Sequence, residues 1–250
     1  MKIARRYKEK KKRNILITII QIILIGCIIW SSIYIIKWLY ENKKTNNMQN
    51  KIKTAVTIDK QNGYKIDFEE LEKQNKDIVA WLRVNNTNVD YPVVQATNND
   101  YYLHHSFDKT QNSAGWIFLD YKNKLDGTDK NLIIYGHNRK DGSMFGTLGK
   151  ALNEEWYKNE QNQQIEFITK NEKNIYKIFS IYQIPDEDYY ITTTFNNNEE
   201  YLNFLNKIKS RSIYNFNVNL DENTQILTLS TCGASNKNRV VIHAKKLQNL

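Results

Sequence analysis

A long apolar run occupies the N-terminal part of the chain. Residues 15–36 are almost wholly apolar, whereas Asn, Lys, Gln and Thr dominate residues 41–63. A helix rises about 1.5 Å per residue, so a run of this length spans a hydrocarbon layer of about 30 Å. The pattern predicts a transmembrane segment at 14–39, followed at 40–63 by a polar linker with some helical character.

Beyond residue 64 the apolar positions come in short runs, several of them alternating with polar residues as β-strands do. Turn-forming residues, such as the polar stretch 85–88, separate these runs. The predicted strands are 81–84, 89–95, 116–119, 132–135, 164–169, 175–184, 225–232 and 239–245. Eight short strands favour a barrel or a sandwich.

Helical signals interrupt the strands. Asp67, with Glu70 three residues later, resembles a capping box that opens a short helix. Further helical pieces are predicted at 100–105, 144–152 and 199–209. The last of them carries an apolar stripe typical of core packing, formed by Tyr201, Leu202, Leu205 and Ile208.

The net charge of +9 is concentrated at the N-terminus. Residues 1–40 hold nine Lys and Arg against one acidic residue, which leaves residues 41–250 with a net charge of +1. A nucleic-acid partner therefore loses its main support. Because the basic residues precede the apolar run, the positive-inside rule predicts a cytoplasmic tail at 1–13 and an extracellular domain at 64–250.

A lipoprotein signal is the competing interpretation of the apolar run. Residues 24–27, which end in Cys27, are similar to a lipidation box, but apolar residues continue past the cysteine. A lipidated cysteine is normally followed by polar chain, and no small-residue cleavage site follows the run. An uncleaved anchor is therefore favoured, and both interpretations leave the same external domain.

Cys232 is the only cysteine of the predicted external domain, so neither a disulfide framework nor a cysteine-rich zinc site is available. It ends a predicted strand. If Leu227 and Leu229 face the core, alternation turns the thiol to the other face of the sheet. A hairpin loop of residues 233–238 then places Arg239 opposite Cys232 on that same face.

A guanidinium beside a thiol favours the thiolate and can donate hydrogen bonds to the oxyanion that forms when sulfur attacks a carbonyl. Of the histidines, His243 takes the same outward face opposite Thr228, about 13 Å along the strand from the thiol. His137 instead ends a buried run and emerges into a loop, so it is the predicted acid–base group. His104 and His105 diverge by about 100° on a helix, and no metal site is expected.

Several motifs occur together in the order His, Cys, Arg. Residues 228–232 read Thr-Leu-Ser-Thr-Cys, residues 135–138 read Tyr-Gly-His-Asn, and further motifs lie at 90–103 and 115–121. Together they resemble the sortases, the transpeptidases of Gram-positive cell surfaces, and most of all the class B branch. The resemblance extends over residues 64–247.

The resemblance implies a mainly β fold: a closed eight-stranded barrel with an N-terminal helical addition and a helix in the connection before the Cys-bearing strand. It implies that Cys232 attacks a backbone carbonyl in the C-terminal sorting signal of a secreted protein. His137 would give the leaving amine a proton, and Arg239 would steady the oxyanion. An amine of peptidoglycan, or of its lipid-linked precursor, would then accept the thioacyl group.

The resemblance also implies substrate contacts and a location. Asn99 and Leu103 match groove positions of the family, and Ser230 and Thr231 adjoin the thiol, so all four are expected to bind substrate. No cofactor is expected, and no acidic cluster suggests a calcium site. The expected location is the membrane of a Gram-positive cell, as a single-pass protein with its N-terminus in the cytoplasm.

Other functions stay open from the sequence. A cysteine peptidase could use the same thiol and imidazole with water in place of the amine. A pilus-assembling sortase is less favoured, because neither a lid nor a second apolar span is evident. A non-catalytic binding module with many Tyr and Asn would tolerate loss of Cys232 or His137, whereas the enzyme would not.

Overall fold

The structure is a computed structural model in which the chain divides into two units, Met1–Lys44 and Thr45–Leu250. The backbone is described for residues 2–59, 63–185, 187–232 and 238–247. Side chains are described for residues 13–57, 64–185, 187–231 and 238–247.

Helix α1 covers Lys2–Lys53 and contains the apolar run. Its side chains in that run are exposed, as Ile22 at 64% and Trp30 at 72% illustrate. The stretch Arg13–Lys53 is the one described helix that is long and apolar enough to cross a membrane, with a mean hydropathy of 2.4 in its most apolar window. These are the length and composition that a membrane-spanning helix requires.

The last turns of α1 belong to the second unit. Thr45 and Ile52 are 1% exposed, Ala55 is buried, and Thr45 accepts a hydrogen bond from the Asn112 side chain at 3.0 Å. Three residues of the expected linker, Thr45, Ile52 and Ala55, are therefore buried within this unit. Ile52 and Ala55 belong to the hydrophobic core of the barrel unit, and Met48 and Val56 pack against it.

Two short strands, β1 (Val56–Asp59) and β2 (Gly63–Ile66), pair antiparallel ahead of helix α2 (Phe68–Gln74). The side chain of Asp67 accepts a hydrogen bond from the Glu70 N–H at 2.9 Å, so this carboxylate satisfies one of the unpaired donors at the helix start. The predicted start of the helix is confirmed.

Eight further strands close into a barrel. They are β3 (Ile78–Val84), β4 (Asp90–Val94), β5 (Phe118–Leu119), β6 (Asn131–His137), β7 (Gln164–Ile168), β8 (Lys173–Pro185), β9 (Ile226–Cys232) and β10 (Asn238–Lys246). Their order around the barrel is β10-β8-β7-β3-β4-β5-β6-β9. Neighbours are antiparallel except for β4 with β5 and β6 with β9. The expected closed eight-stranded barrel is confirmed, and each predicted strand is found, with ends that differ by at most three residues.

The helical pieces lie in the connections. They are α3 (Glu154–Tyr157), α4 (Asn198–Ser210) and 3-10 turns at Tyr101–Leu103, Leu148–Leu152 and Glu160–Asn162. Helix α4 precedes β9, as expected. Its buried face consists of Tyr201, Phe204, Leu205 and Ile208. Phe204 takes the place expected for Leu202, which is only partly buried, because positions three and four apart share one face of a helix.

The middle parts of strands β9 and β10 are buried on both faces. Leu227, Leu229 and Ile242 point into the main core, as alternation predicts. Thr228 and His243, expected to face outward, are nevertheless 0% exposed. Helix α4 and the connection before it form a second apolar cluster that covers this outer face. The sequence pattern showed which residues share a face, but not that this face is covered.

Candidate active site

The ends of two parallel strands bring together the predicted imidazole and thiol positions. Strands β6 and β9 pair residue by residue, from Asn131 with Ile226 to His137 with Cys232. Neighbouring strands lie about 4.8 Å apart, so the backbones of these two residues are side by side at one end of the barrel. The side chain of Cys232 lies outside the described residues.

Arg239 approaches the same point from the other side of β9. Strands β9 and β10 are antiparallel, with Val241 opposite Ser230, which is the register expected from the sequence. The N–H of Val240 donates to the Thr231 hydroxyl at 2.9 Å. Two further steps of this register set half-buried Arg239 opposite the end of β9. Residues 233–237 of the expected hairpin loop lie outside the described residues.

His137 is held from two directions. Its Nε2–H donates to the carbonyl of Leu103 at 2.8 Å, and its own carbonyl accepts the N–H of Phe145 at 3.0 Å. Gly136 leaves room for the Phe145 ring, since a Cβ there would lie 2.8 Å from the ring. The imidazole is half-buried and therefore both oriented and accessible.

Asp141 lies in the loop that follows His137, together with the basic residues Arg139 and Lys140. It accepts hydrogen bonds from Arg139 Nη2 at 3.0 Å and from the Ser143 hydroxyl at 2.6 Å. Burial acts to raise the pKa of this carboxyl, but the hydrogen bonds outweigh burial and hold the pKa below its ordinary value. Asp141 is therefore ionised at neutral pH and ties the loop together.

The four residues expected to contact substrate are all engaged within the protein. Asn99 donates to Asp120 at 2.9 Å and accepts the N–H of Tyr121 at 3.0 Å. Ser230 and Thr231 are at most 1% exposed, and the side chain of Leu103 is half-buried. The structure thus gives Leu103 a backbone role toward His137, and substrate contact by these four residues stays a prediction.

His243 lies opposite Thr228, as the sequence register predicts, and away from the strand ends. Burial lowers the pKa of its imidazole to about 3. Its ring nitrogens lie 2.8 Å from the hydroxyls of Thr228 and Tyr182. A fully buried, neutral imidazole with both nitrogens satisfied is not a proton carrier.

Sequence reasoning missed the polar side chains that pack along β9, from its first residues to Ser230. The hydroxyl of Tyr190 lies 2.8 Å from that of Ser230, and Asn131 donates to the carbonyl of Thr192 at 2.9 Å. Tyrosines in a chain with sixteen of them carry no signal of such pairing. Among the side chains that the structure describes, no cluster of three or more His, Cys, Asp or Glu could hold a metal ion.

Comparison with known proteins places this geometry in one family. The family model described as the sortase domain matches residues 82–247. A protein named Sortase B from Listeria monocytogenes is 37% identical over 232 residues, which are 90% of this chain and 94% of that protein. A Sortase B from Staphylococcus aureus is 36% identical over 235 residues, or 92% and 96% of the two chains.

Solved structures of sortase B proteins share the fold of this chain. A Staphylococcus aureus sortase B–substrate complex superimposes with a TM-score of 0.75 at 33% identity, covering 86% of this chain and all of the other. Clostridium perfringens sortase B superimposes with a TM-score of 0.68 at 35% identity, over 73% of this chain. Fold, motif order and full-length relatives coincide, and the chain belongs to the sortase family of cysteine transpeptidases, in its class B branch.

Proposed function

We propose that Cys232 is the nucleophile of this transpeptidase, that His137 carries the proton and that Arg239 stabilises the oxyanion. The observation that carries the proposal is the parallel pairing of His137 with Cys232 at the ends of β6 and β9. In the register of β9 with β10, Arg239 comes opposite the end of β9, so a guanidinium lies near the same strand end. A thiol, an imidazole and a guanidinium at one strand end are the groups that acyl transfer through sulfur needs.

The reaction proceeds in two steps, acylation of Cys232 and transfer of the acyl group to an acceptor amine. Cys232 gives its thiol proton to His137, its sulfur attacks the carbonyl carbon of the scissile peptide bond, and Arg239 donates hydrogen bonds to the resulting oxyanion. The carbon–nitrogen bond breaks, and the amine leaves with a proton from His137. An acceptor amine then attacks the thioester carbonyl and loses a proton to His137. An amide forms, the carbon–sulfur bond breaks, and His137 returns the proton to the sulfur, which restores the thiol.

The substrate we infer is the C-terminal sorting signal of a secreted protein, and the acceptor is an amine of peptidoglycan or of its lipid-linked precursor. Support comes from the relatives, which are sortase B proteins of Gram-positive bacteria, and from the likeness to a sortase B–substrate complex. Hydrolysis of the thioester by water is the competing outcome.

We further infer that residues 14–39 anchor the enzyme in the cell membrane, with the N-terminus inside. The support is the exposed apolar surface of α1 together with the basic residues that precede it. The catalytic unit then lies outside the cell. Both substrates reach the membrane surface, so an anchored enzyme meets them there.

The test uses the full chain in detergent and a library of sorting-signal peptides, with and without triglycine as acceptor amine. We expect cleavage, a conjugate that requires triglycine, and an acyl adduct on Cys232 detected by mass spectrometry. Cys232→Ala should abolish all three, and His137→Ala should lower kcat at least ~10²-fold. Arg239→Ala should lower kcat by a similar factor, because one oxyanion donor contributes ~10²–10³.

The matched control is His104→Ala, which removes an imidazole whose side chain is 61% exposed and should leave turnover unchanged. Hydrolysis alone, with no triglycine conjugate from any peptide, would assign the chain to the peptidases. Cleavage that survives Cys232→Ala would refute the thiol mechanism.

A further inference from the structure

Gly115 lies against both the imidazole of His137 and the carbonyl that holds it. Its φ is +58°, and a Cβ at this position would lie 2.9 Å from His137 Cδ2 and 2.8 Å from the Leu103 oxygen. The same Cβ would be 2.6 Å from the oxygen of Tyr102. These separations are shorter than van der Waals contact, so of the twenty residues only glycine fits without displacing its neighbours.

The backbone carrying the Leu103 carbonyl is itself fixed. The N–H of Leu103 donates to the carbonyl of Asp100 at 3.1 Å, and the N–H of Trp116 donates to the carbonyl of Tyr102 at 2.8 Å. The 3-10 turn Tyr101–Leu103 and the segment containing Gly115 are therefore tied to each other. A side chain at position 115 would push the Leu103 carbonyl away from the imidazole of His137. The carbonyl oxygens of Tyr102 and Leu103 belong to the same turn, so neither can move independently of the other.

The contact with Leu103 also sets the position of the imidazole proton. A carbonyl oxygen can only accept a hydrogen bond, so the nitrogen 2.8 Å away, Nε2 of His137, must carry hydrogen. In the neutral imidazole the second nitrogen, Nδ1, is then the basic one.

We propose that Gly115 is a positioning residue for His137. By leaving room for the Leu103 carbonyl to reach Nε2, it holds the imidazole in the Nε2–H tautomer, so that Nδ1 exchanges the proton with the thiol and the leaving amine. This inference rests on the proposed catalytic role of His137 and assigns the atom that performs it.

The test compares Gly115→Ala with Gly127→Ala in the full chain. Gly127 also has a positive φ, +84°, but a Cβ there would meet nothing within 4 Å, so it reproduces the backbone strain without the collision. We expect Gly115→Ala to lower kcat ~10²-fold, the effect of a misplaced catalytic group, with KM changed less than about threefold. Gly127→Ala should leave both constants near wild type.

A second measurement does not depend on whether Gly115→Ala folds. In the wild-type protein, ¹⁵N NMR of the His137 ring, assigned by comparison with His137→Gln, should show the neutral Nε2–H tautomer. A neutral Nδ1–H tautomer would overturn the inference even if Gly115→Ala fails to fold. Gly115→Ala with wild-type kcat would overturn it too.

These outcomes are distinct from failure of the proposed function. If His137→Ala keeps full turnover, the catalytic role of His137 fails and the inference falls with it. If His137→Ala is inactive while Gly115→Ala turns over as wild type does, the function stands and the positioning role of Gly115 is wrong.

Discussion

His243 is the centre of a directional chain of hydrogen bonds behind the thiol strand. Thr228 donates to Asn131 at 2.7 Å, so its hydroxyl accepts from Nδ1–H of His243. The other ring nitrogen accepts from Tyr182, whose hydroxyl accepts in turn from Tyr189 at 3.2 Å. These hydrogen bonds join strands β6, β8, β9 and β10 to the connection before α4. Protonation of the imidazole would place an uncompensated charge in this buried site.

The buried imidazole predicts a loss of stability in acid. The pKa of His243 is about 3 in the folded protein against an ordinary value of 6.5, so between these values the unfolded chain binds more protons. The free energy of unfolding should therefore fall as the pH falls below about 6.5. The contribution of His243 is about 2 kcal/mol between pH 7 and pH 5, measured by urea unfolding at both pH values.

His243→Gln should remove this part of the pH dependence, although it lowers stability at pH 7 by breaking the buried hydrogen bonds. His104→Gln, which changes an exposed imidazole, is the matched control and should keep the wild-type dependence. If the free energy of unfolding of His243→Gln falls between pH 7 and pH 5 by as much as that of the wild type, His243 is not the source of this pH dependence.

At the scale of elements, α4 decides whether the outer face of β9 and β10 is covered. Its start is well defined, because the Asn197 side chain accepts the N–H of Glu200 at 2.9 Å. Acidic residues occupy its first turn and basic residues its last turn, which suits the helix dipole. The helix buries one apolar face on the outside of the barrel, near the base of the thiol strand.

Asn197→Ala should lower the free energy of unfolding by about 1 kcal/mol, because the cap hydrogen bond is lost. Asn198→Ala, the exposed neighbour inside the helix, is the matched control and should change stability by less than about 0.5 kcal/mol. Chemical denaturation of the three proteins measures both. Equal effects at the two positions would show that the cap does not stabilise α4.

At the scale of the whole molecule, the catalytic unit begins before the barrel. Thr45, Ile52 and Ala55 are buried in the unit Thr45–Leu250, and β1 pairs with β2 across the boundary expected from sequence. The polar composition of residues 41–63 concealed these contacts, because only a few apolar positions in it are covered.

A fragment of residues 45–250 should therefore melt at a higher temperature than a fragment of residues 64–250. Loss of buried Ile52 costs about 2–5 kcal/mol by analogy with large-to-small core changes. This corresponds to a fall in Tm of at least ~4 °C for a domain of this size. Thermal unfolding followed by circular dichroism measures the difference, and equal melting temperatures would place the boundary at 64 after all.

Much of the barrel could be predicted because strand periodicity is local. Alternation placed Leu227 and Leu229 inside, and the register of β9 with β10 followed from loop length alone. The parallel pairing of β6 with β9 could not be predicted in this way, because these strands are separated by about ninety residues and no local pattern records which strands become neighbours. The covering of the outer face by α4 is non-local for the same reason.

The amino-acid sequence alone determined the long apolar run near the N-terminus, the succession of strands, the single cysteine beyond that run and the motif order that marks the family. These are properties of composition and short-range periodicity. Only the tertiary structure decided that Leu103 and Gly115 lie against His137, that His243 is buried and neutral, and that Ile52 and Ala55 join the core of the barrel unit. Each of these depends on which distant segments touch, and contact between distant segments is settled by packing of the whole chain.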